Sequence, residues 1–505
     1  MKKSKEMTIG AIISYLTIAL NIVSGLIYTP WMVDRIGKAD YGLYTLSTSL
    51  ITLFLVDFGL SASTSRFVSK YLAEGRQDKV NNFLGAVYKL YLILDALILV
   101  ALVVVYFFLD SIYVKLTPEE LEKFKVVYII SASFAVINFP CVTFNGILNA
   151  YEKFVHLKLA DAVYRILLVL LTVVALLFGG KLYSLVTVHA LVGLMVIAYK
   201  FFVIKKSLKL NINFKYTEKG VYEKLFKFTA WVTVSVIAQR LIFSITPSIL
   251  GIVADAGAIA VFGIVTVIEG YVNTFATAIN GMFMPKISRI YAEENAEEKL
   301  NVLVINVAKW QFALNGLFVA GLIALGKDFI LLWMGESYVE AYYGIMLVII
   351  PGLFFNSLQI ANTAMVVRNS VRFQAIINLI VGAFNVGVSF ILSGKYGVTG
   401  ACISIFLACM LRVAGYLAAY KKELKLNVSV LFKDCYLRMG CSVVVSTIIG
   451  LYLGRLIVGV SWGTFIAKGT IVVIIYLSLV FLVGLSRLDK KRILSFCKGF
   501  INNKH

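Results

Sequence analysis

The 505 residues carry 60% hydrophobic and only 15% charged side chains, at a mean hydropathy of +0.88, whereas soluble domains run at about 25% charged and 45–50% apolar. A soluble globular chain is excluded, and an all-α, polytopic membrane protein is expected. Lys and Arg outnumber Asp and Glu by 48 to 27, a net +21; on a soluble chain this would suggest nucleic acid, but here no nucleic-acid partner is expected and the position of the charges carries the information.

The first apolar run, Ile9 to Pro30, exceeds the roughly 7–15 residues of a signal-peptide core and has no small-residue cleavage pattern behind it. It reads as a retained spanning helix. With roughly 20 apolar residues needed per crossing, fourteen windows qualify, at 9–31, 43–66, 84–109, 126–150, 157–179, 181–204, 226–250, 257–282, 303–325, 341–366, 371–393, 396–420, 435–457 and 463–485. The first six make an N-terminal half within 1–204. A basic cytoplasmic linker at 205–225 comes next, then a second six-helix half at 226–420, and helices 13 and 14 with a basic tail fill 421–505.

Two motifs recur. Thr29-Pro30 returns as Thr246-Pro247 at the end of another apolar run, each followed by a Gly/Asp turn and a helix that opens alike, Tyr41-Gly42-Leu43-Tyr44 against Ile259-Ala260-Val261-Phe262. PxxxFN occurs at Pro140 to Asn145 and again at Pro351 to Asn356, with Ala150 and Ala361 in the same register. The matches point to a duplicated unit. Six helices per half is an even number, so both halves share an orientation, the parallel repeat about an axis along the membrane normal that transporters use. The matched prolines, Pro30, Pro140, Pro247 and Pro351, are expected to act as hinges.

Most of the 48 Lys and Arg fall on one side if the N-terminus, with Lys2, Lys3 and Lys5, is cytoplasmic, as the positive-inside rule requires. The richest segments are Lys200 to Lys227 and the tail from Arg487 to Lys504. These hold topology and meet anionic lipid headgroups. No loop is long enough to fold alone, so any activity sits among the helices.

Ionisable groups inside the membrane are costly and tend to face a cavity or a partner. Asp57, Asp95, Arg240 and Glu269 lie deep, Arg240 some 14 residues into its span, or roughly 21 Å at 1.5 Å per residue. An ion pair of Asp57 or Glu269 with Arg240 is the structural alternative to a functional role. Arg66, Arg165 and Arg412 lie nearer the cytoplasmic face, within snorkelling reach of headgroups. His156 and His189 have no ligand spacing around them and read as structural. The six cysteines, Cys141, Cys402, Cys409, Cys435, Cys441 and Cys497, show no CxxC spacing and read as reduced thiols. Gly321 to Lys327 fits GxxxxGK, but Asp328 stands where Ser or Thr must meet Mg²⁺. No nucleotide, cofactor or metal is expected, and no enzyme activity.

The run from Thr29-Pro30 to Tyr41-Gly42-Leu43-Tyr44, then Asp57-Phe58-Gly59-Leu60 and the basic exit Ser65-Arg66-Phe67-Val68-Ser69-Lys70-Tyr71, resembles the polysaccharide-transporter branch of the multidrug/oligosaccharidyl-lipid/polysaccharide exporter superfamily. The segment from Phe144 to Phe154, FNGILNAYEKF, and the fourteen-helix count resemble that branch as well. The resemblance implies a bacterial flippase of the cytoplasmic membrane, with both termini cytoplasmic. By alternating access it would move an undecaprenyl-pyrophosphate-linked oligosaccharide to the outer leaflet for capsule, O-antigen or other surface polysaccharide.

In such proteins helices 1, 2, 7 and 8 line a cleft between lobes, a set that includes Asp57, Arg240 and Glu269. Arg240, Arg66, Arg165 and Arg412 are then the expected substrate-binding residues, and Asp57, Asp95 and Glu269 the coupling or ion-pair residues. The deep charges are net acidic, so the phosphate is held either beside protonated or paired acids or by the three shallower arginines. Partners would be the lipid-linked oligosaccharide, anionic lipids, and a polymerase and glycosyltransferases of the same pathway. A cation-coupled small-molecule or drug antiporter of the superfamily would use Asp57, Asp95 and Glu269 as ion sites, but helices 13 and 14 argue against it. A membrane polymerase or glycosyltransferase is a further reading, disfavoured by the short outward loops.

Overall fold

The computed structural model describes residues 2–208, 210–216, 219–277, 283–368, 370–457, 459–486 and 489–490, with backbone alone for 2–17, 20, 219–229 and 285. The tail apart from 489 and 490, Cys497, parts of the linker and the side chains of Lys2, Lys3 and Lys5 lie outside the described residues. Among the described residues every regular element is helical, as a membrane interior demands, since a helix satisfies its own backbone where no water can. Among the described residues nine helices are long and apolar enough to cross a membrane, or up to eleven if two bent pairs each count as one span. The chain is a multi-pass membrane protein.

Contacts divide it into two compact units, residues 1–263 with 378–401, and 264–377 with 402–505. Contact grouping places the seventh predicted span in the first unit, whereas the proposed duplication concerns internal superposition. In unit 1, α1 (Lys2–Ile36), α2 (Lys38–Phe54) and α3 (Leu60–Ala73) are followed by α4 (Gln77–Ile112), α5 (Pro118–Cys141) and α6 (Thr143–Ala150). Then come α7 (Phe154–Leu177), α8 (Leu182–Ser207), α9 (Lys219–Phe243), α10 (Thr246–Val253) and the start of α11 (Ala256–Thr277). Helix α7 packs on α1 and α8, α5 on α2, α4 and α8, and α3 on α6. Helix α5 starts from a capping box, Thr117 with Glu120, and Pro118 in its first turn, the position where a missing N–H costs nothing.

Unit 2 holds the rest of α11, α12 (Met284–Ile290), α13 (Ala296–Met334), α14 (Ala341–Ser357) and α15 (Gln359–Val367). Both ends of α16 (Val371–Glu423) belong here, together with α17 (Val428–Leu431), α18 (Arg438–Leu456) and α19 (Trp462–Leu479). Helix α13 packs against α14, α18 and α19, and α12 against α15. Two largely buried ion pairs tie α13 to the last span and to the segment just beyond it: Asp328 to Lys468 at 2.9 Å and Lys309 to Asp489 at 3.1 Å.

Several spans expected to be single helices are interrupted. The second is α2 and α3, broken where Phe58 and Gly59 take φ of 51° and 66°. The seventh is α9 and α10, bent by 40°, and the tenth is α14 and α15, bent by 49°. The eleventh and twelfth spans are two helices that meet at a kink within α16, where Gly397 takes φ 55° and ψ −131°, close to the expected gap between 393 and 396.

The four prolines sit at different places relative to the ends of their helices. Pro30 sits inside an unbroken α1, Pro140 two residues before the α5–α6 break, Pro247 in the first turn of α10 and Pro351 inside α14, seven residues before its bend. A ring contact does recur at an offset of 211 residues: Phe144 against Phe201 in unit 1, and Phe355 against Arg412 in unit 2.

Candidate functional site

Unit 1 holds an open cavity of about 970 Å³ lined by α1, α2, α5, α6, α7 and α8. Helical spacing explains the lining. On α5, Ser131, Phe134, Ala135, Asn138 and Cys141 recur at intervals of three and four, which places them on one face. On α7, Lys158, Asp161 and Arg165 do the same, and on α8 His189, Gly193 and Lys200 face them.

Three cations therefore share the cavity with one carboxylate. Lys158 pairs with Asp161 at 3.7 Å, while Lys200 Nζ donates to Asn145 Oδ1 at 3.0 Å. Arg165 Nη2 donates to the Asn21 carbonyl at 3.4 Å; Arg165 Nε and Asn21 Oδ1 are buried with no hydrogen-bond partner. His189 Nε2 and the Tyr164 hydroxyl share a hydrogen bond of 2.8 Å. The Phe134 ring stands edge-on to His189 at 6.1 Å and lies over Gly193, where an added Cβ would come within 2.2 Å of the ring. Glycine is needed there for the ring to sit. The wall thus combines fixed positive charge, amides and aromatic faces.

Of the residues expected to bind substrate, Arg165 lines this cavity. Arg66 is exposed on α3. Arg240 Nη2 donates to the Leu55 carbonyl at 2.9 Å. Arg412 lies buried in unit 2, its guanidinium carbon 3.9 Å above the Phe355 ring and its Nη2 3.7 Å from the Cys409 sulfur.

The alternative reading of Asp57, an ion pair with Arg240, is not realised, because the break in the second span supplies each with another partner. Asp57 accepts from the Tyr91 hydroxyl and, at 3.3 Å, from the Ser61 N–H, so it caps the start of α3. Asp95 is half-buried on α4 with Oδ1 unpartnered. Glu269 is half-buried on α11, within electrostatic range of Arg412. Cys402, Cys409 and Cys435 are buried free thiols, Cys141 is half-buried and Cys441 is exposed. Asp328, at the end of the GxxxxGK run, is the partner of Lys468.

Lys158, Lys200, Asn21 and Asn145 are cavity residues that sequence reasoning did not single out as binding groups. The signal was present: Lys158, Asp161 and Arg165 share one helical face, and Asn145 closes the PxxxFN motif. His189, read from sequence as structural, lines the same wall.

A family model described as "Polysaccharide biosynthesis protein" matches residues 9–291, more than half of the chain. The chain belongs to this family. This family match agrees with the polysaccharide branch that the sequence resembles. The uncharacterized membrane protein EpsK of Bacillus subtilis (strain 168) is 23% identical over 425 residues, covering 79% of this chain and 81% of its own. The fold is shared with a structure of the lipid II flippase MurJ in an inward closed conformation, at a TM-score of 0.74, 16% identity, and coverage of 93% and 97% of the two chains. An inward-facing multidrug resistance MATE family transporter of the MOP superfamily matches at a TM-score of 0.69, 14% identity, and coverage of 84% and 99%.

Proposed function

We propose that the protein is a flippase for a lipid-linked oligosaccharide bearing phosphate or pyrophosphate, and that the unit 1 cavity receives the polar head group. The supporting observation is a cavity of about 970 Å³ in which Lys158, Arg165 and Lys200 face a single carboxylate, Asp161, in a chain of the polysaccharide family. Its volume is at the upper end of small-molecule sites, about 300–1,000 Å³. A planar guanidinium such as that of Arg165 suits bidentate recognition of phosphate, and lysines add point charge. Tyr44, Phe134 and Tyr164 offer flat apolar faces, and Asn21, Asn138 and Asn145 offer amides, the pairing that sugar rings use.

The charge bias favours a bacterial cytoplasmic membrane with both termini inside. Lys158 at the start of α7 and Lys200 near the end of α8 then lie toward the cytoplasm, where a lipid-linked glycan is made. Outward movement of one negative charge across an inside-negative membrane releases about 2.3 kcal/mol per 100 mV, so the potential suffices as a driving force. The product would supply a polymerase of a surface polysaccharide such as capsule or O-antigen.

The test reconstitutes the protein in vesicles carrying a labelled undecaprenyl-pyrophosphate oligosaccharide, with an imposed potential and no proton or sodium gradient. Potential-dependent flipping that falls in Arg165→Ala and Lys200→Ala supports the proposal. Absence of flipping, with ion-driven efflux of small cationic drugs instead, would overturn it in favour of the antiporter reading.

A further inference from the structure

The second and seventh spans are both interrupted inside unit 1, and each gives a side chain to the other's break. An interrupted helix leaves carbonyls without intrahelical donors, and within a membrane no water takes their place. At the first break Arg240, from α9, donates to the Leu55 carbonyl at the end of α2. At the second break the Ser49 hydroxyl, from α2, donates to the Ser244 carbonyl. Asn385 of α16 completes the set, its Nδ2 donating to the carbonyls of Leu241 and Ile242 at 3.0 Å each.

The cation at this junction has no ion-pair partner among the described residues. Arg240 Nη1 is buried without a hydrogen-bond partner, and Asp57, two residues past Leu55, is already held by Tyr91 and Ser61. The C-terminal end of a helix carries partial negative charge, and in ion-coupled carriers the carbonyls of an unwound span hold a monovalent cation there.

We propose that Arg240 is a tethered cation that takes this role, locking the breaks of spans two and seven together so that no monovalent ion binds at the junction. The inference concerns the junction itself and does not depend on which substrate is carried.

The test follows thermal unfolding of the purified full-length protein in choline, sodium and methylguanidinium chlorides at equal ionic strength, all far below denaturing concentrations. Wild type is expected to unfold at one temperature in choline and in sodium. Arg240→Ala is expected to unfold earlier and to recover at least half of the shift in methylguanidinium, saturably. Arg240→Gln keeps a donor for the Leu55 carbonyl but no charge; its midpoint is expected to rise saturably with sodium relative to choline, and it carries the test alone if the alanine variant cannot be purified. A wild type that responds to sodium as the glutamine variant does would overturn the proposal, because a second cation would then be bound. A glutamine variant as insensitive as wild type would overturn it too, because the hydrogen bond alone would suffice. So would an alanine variant that methylguanidinium leaves unchanged.

Discussion

The two units treat intramembrane cations in opposite ways. In unit 1, Lys158, Arg165 and Lys200 look into an open cavity and have one carboxylate between them. In unit 2, Lys309 and Lys468 each have an aspartate of their own, and Arg412 is laid flat over Phe355. The recurring ring contact sharpens the contrast, since at the same offset of 211 residues a phenylalanine, Phe201, meets the ring in one unit and a cation, Arg412, in the other. A buried charge with a matched partner is a fastening, and a buried charge facing a void is available to a ligand. Location within the bilayer does not separate the two cases; the neighbours do.

The largest effect is expected at Lys468, which is 2% exposed. Removing one partner of a buried pair leaves the other uncompensated, at about 3–5 kcal/mol, so Lys468→Ala should lower the unfolding midpoint sharply. Replacing both partners, as Lys468→Met with Asp328→Leu, should recover most of that loss, with transport per folded molecule unchanged. If transport falls while the midpoint holds, Lys468 is a working group and the contrast between the units fails.

The reverse signature is expected in the cavity. A hydrogen bond to a charged group contributes about 1.5–3 kcal/mol, so Arg165→Ala should slow flipping by roughly thirtyfold, the equivalent of about 2 kcal/mol. Lys200→Ala should do somewhat less, because Asn145 already holds that ammonium. Both should leave the unfolding midpoint nearly unmoved. A destabilised but normally active Arg165→Ala would reassign Arg165 to the fold.

Arg412 separates its expected role from its surroundings. A cation over an aromatic face is worth about 0.5–2 kcal/mol, and lysine lacks the planar group that stacks. Arg412→Lys should therefore cost about 1 kcal/mol of stability, and Phe355→Leu a similar amount, the two together less than their sum. Flipping reduced well beyond that loss would restore the substrate-binding role expected from sequence.

Legibility in the sequence depends on how local each feature is. The helices, the membrane class and the family were readable because hydropathy is a property of one segment and the DFGL and FNGILNAYEKF motifs are contiguous. Arg165 was readable as an unusual charge, although its role beside Asn21 and Tyr164 needs three helices brought together. The breaks at Leu55 to Gly59 and at Ser244 were not readable, because hydropathy runs on through them and neither has a proline inside the gap. Lys309 and Lys468 were missed since their aspartates lie 180 and 140 residues away, a separation that no local pattern reports.

The smallest expected effect belongs to Asp489, which lies beyond the last span. Burial alone would raise its carboxyl, but hydrogen bonds from the Ser486 hydroxyl and from Lys309, the lysine's charge and the Ser486 backbone hold it below the ordinary carboxylate value. A group depressed in the folded state contributes stability that is fully present above its unfolded value, about 3.9 for Asp, and lost as pH falls through the lower folded value. The unfolding midpoint should therefore be insensitive to this group from pH 8 to about pH 5, and its contribution should fade below about pH 4. Ser486→Ala removes one of the lowering contacts, the hydroxyl, but leaves the backbone N–H and the lysine, so it should shift that loss slightly toward higher pH without abolishing it. Asp489→Asn should remove this part of the acid response while lowering the midpoint at neutral pH. If acid instead destabilises the wild type and Asp489→Asn equally, the Lys309 pair is not the fastening that distinguishes unit 2, and the acid response arises elsewhere in the chain.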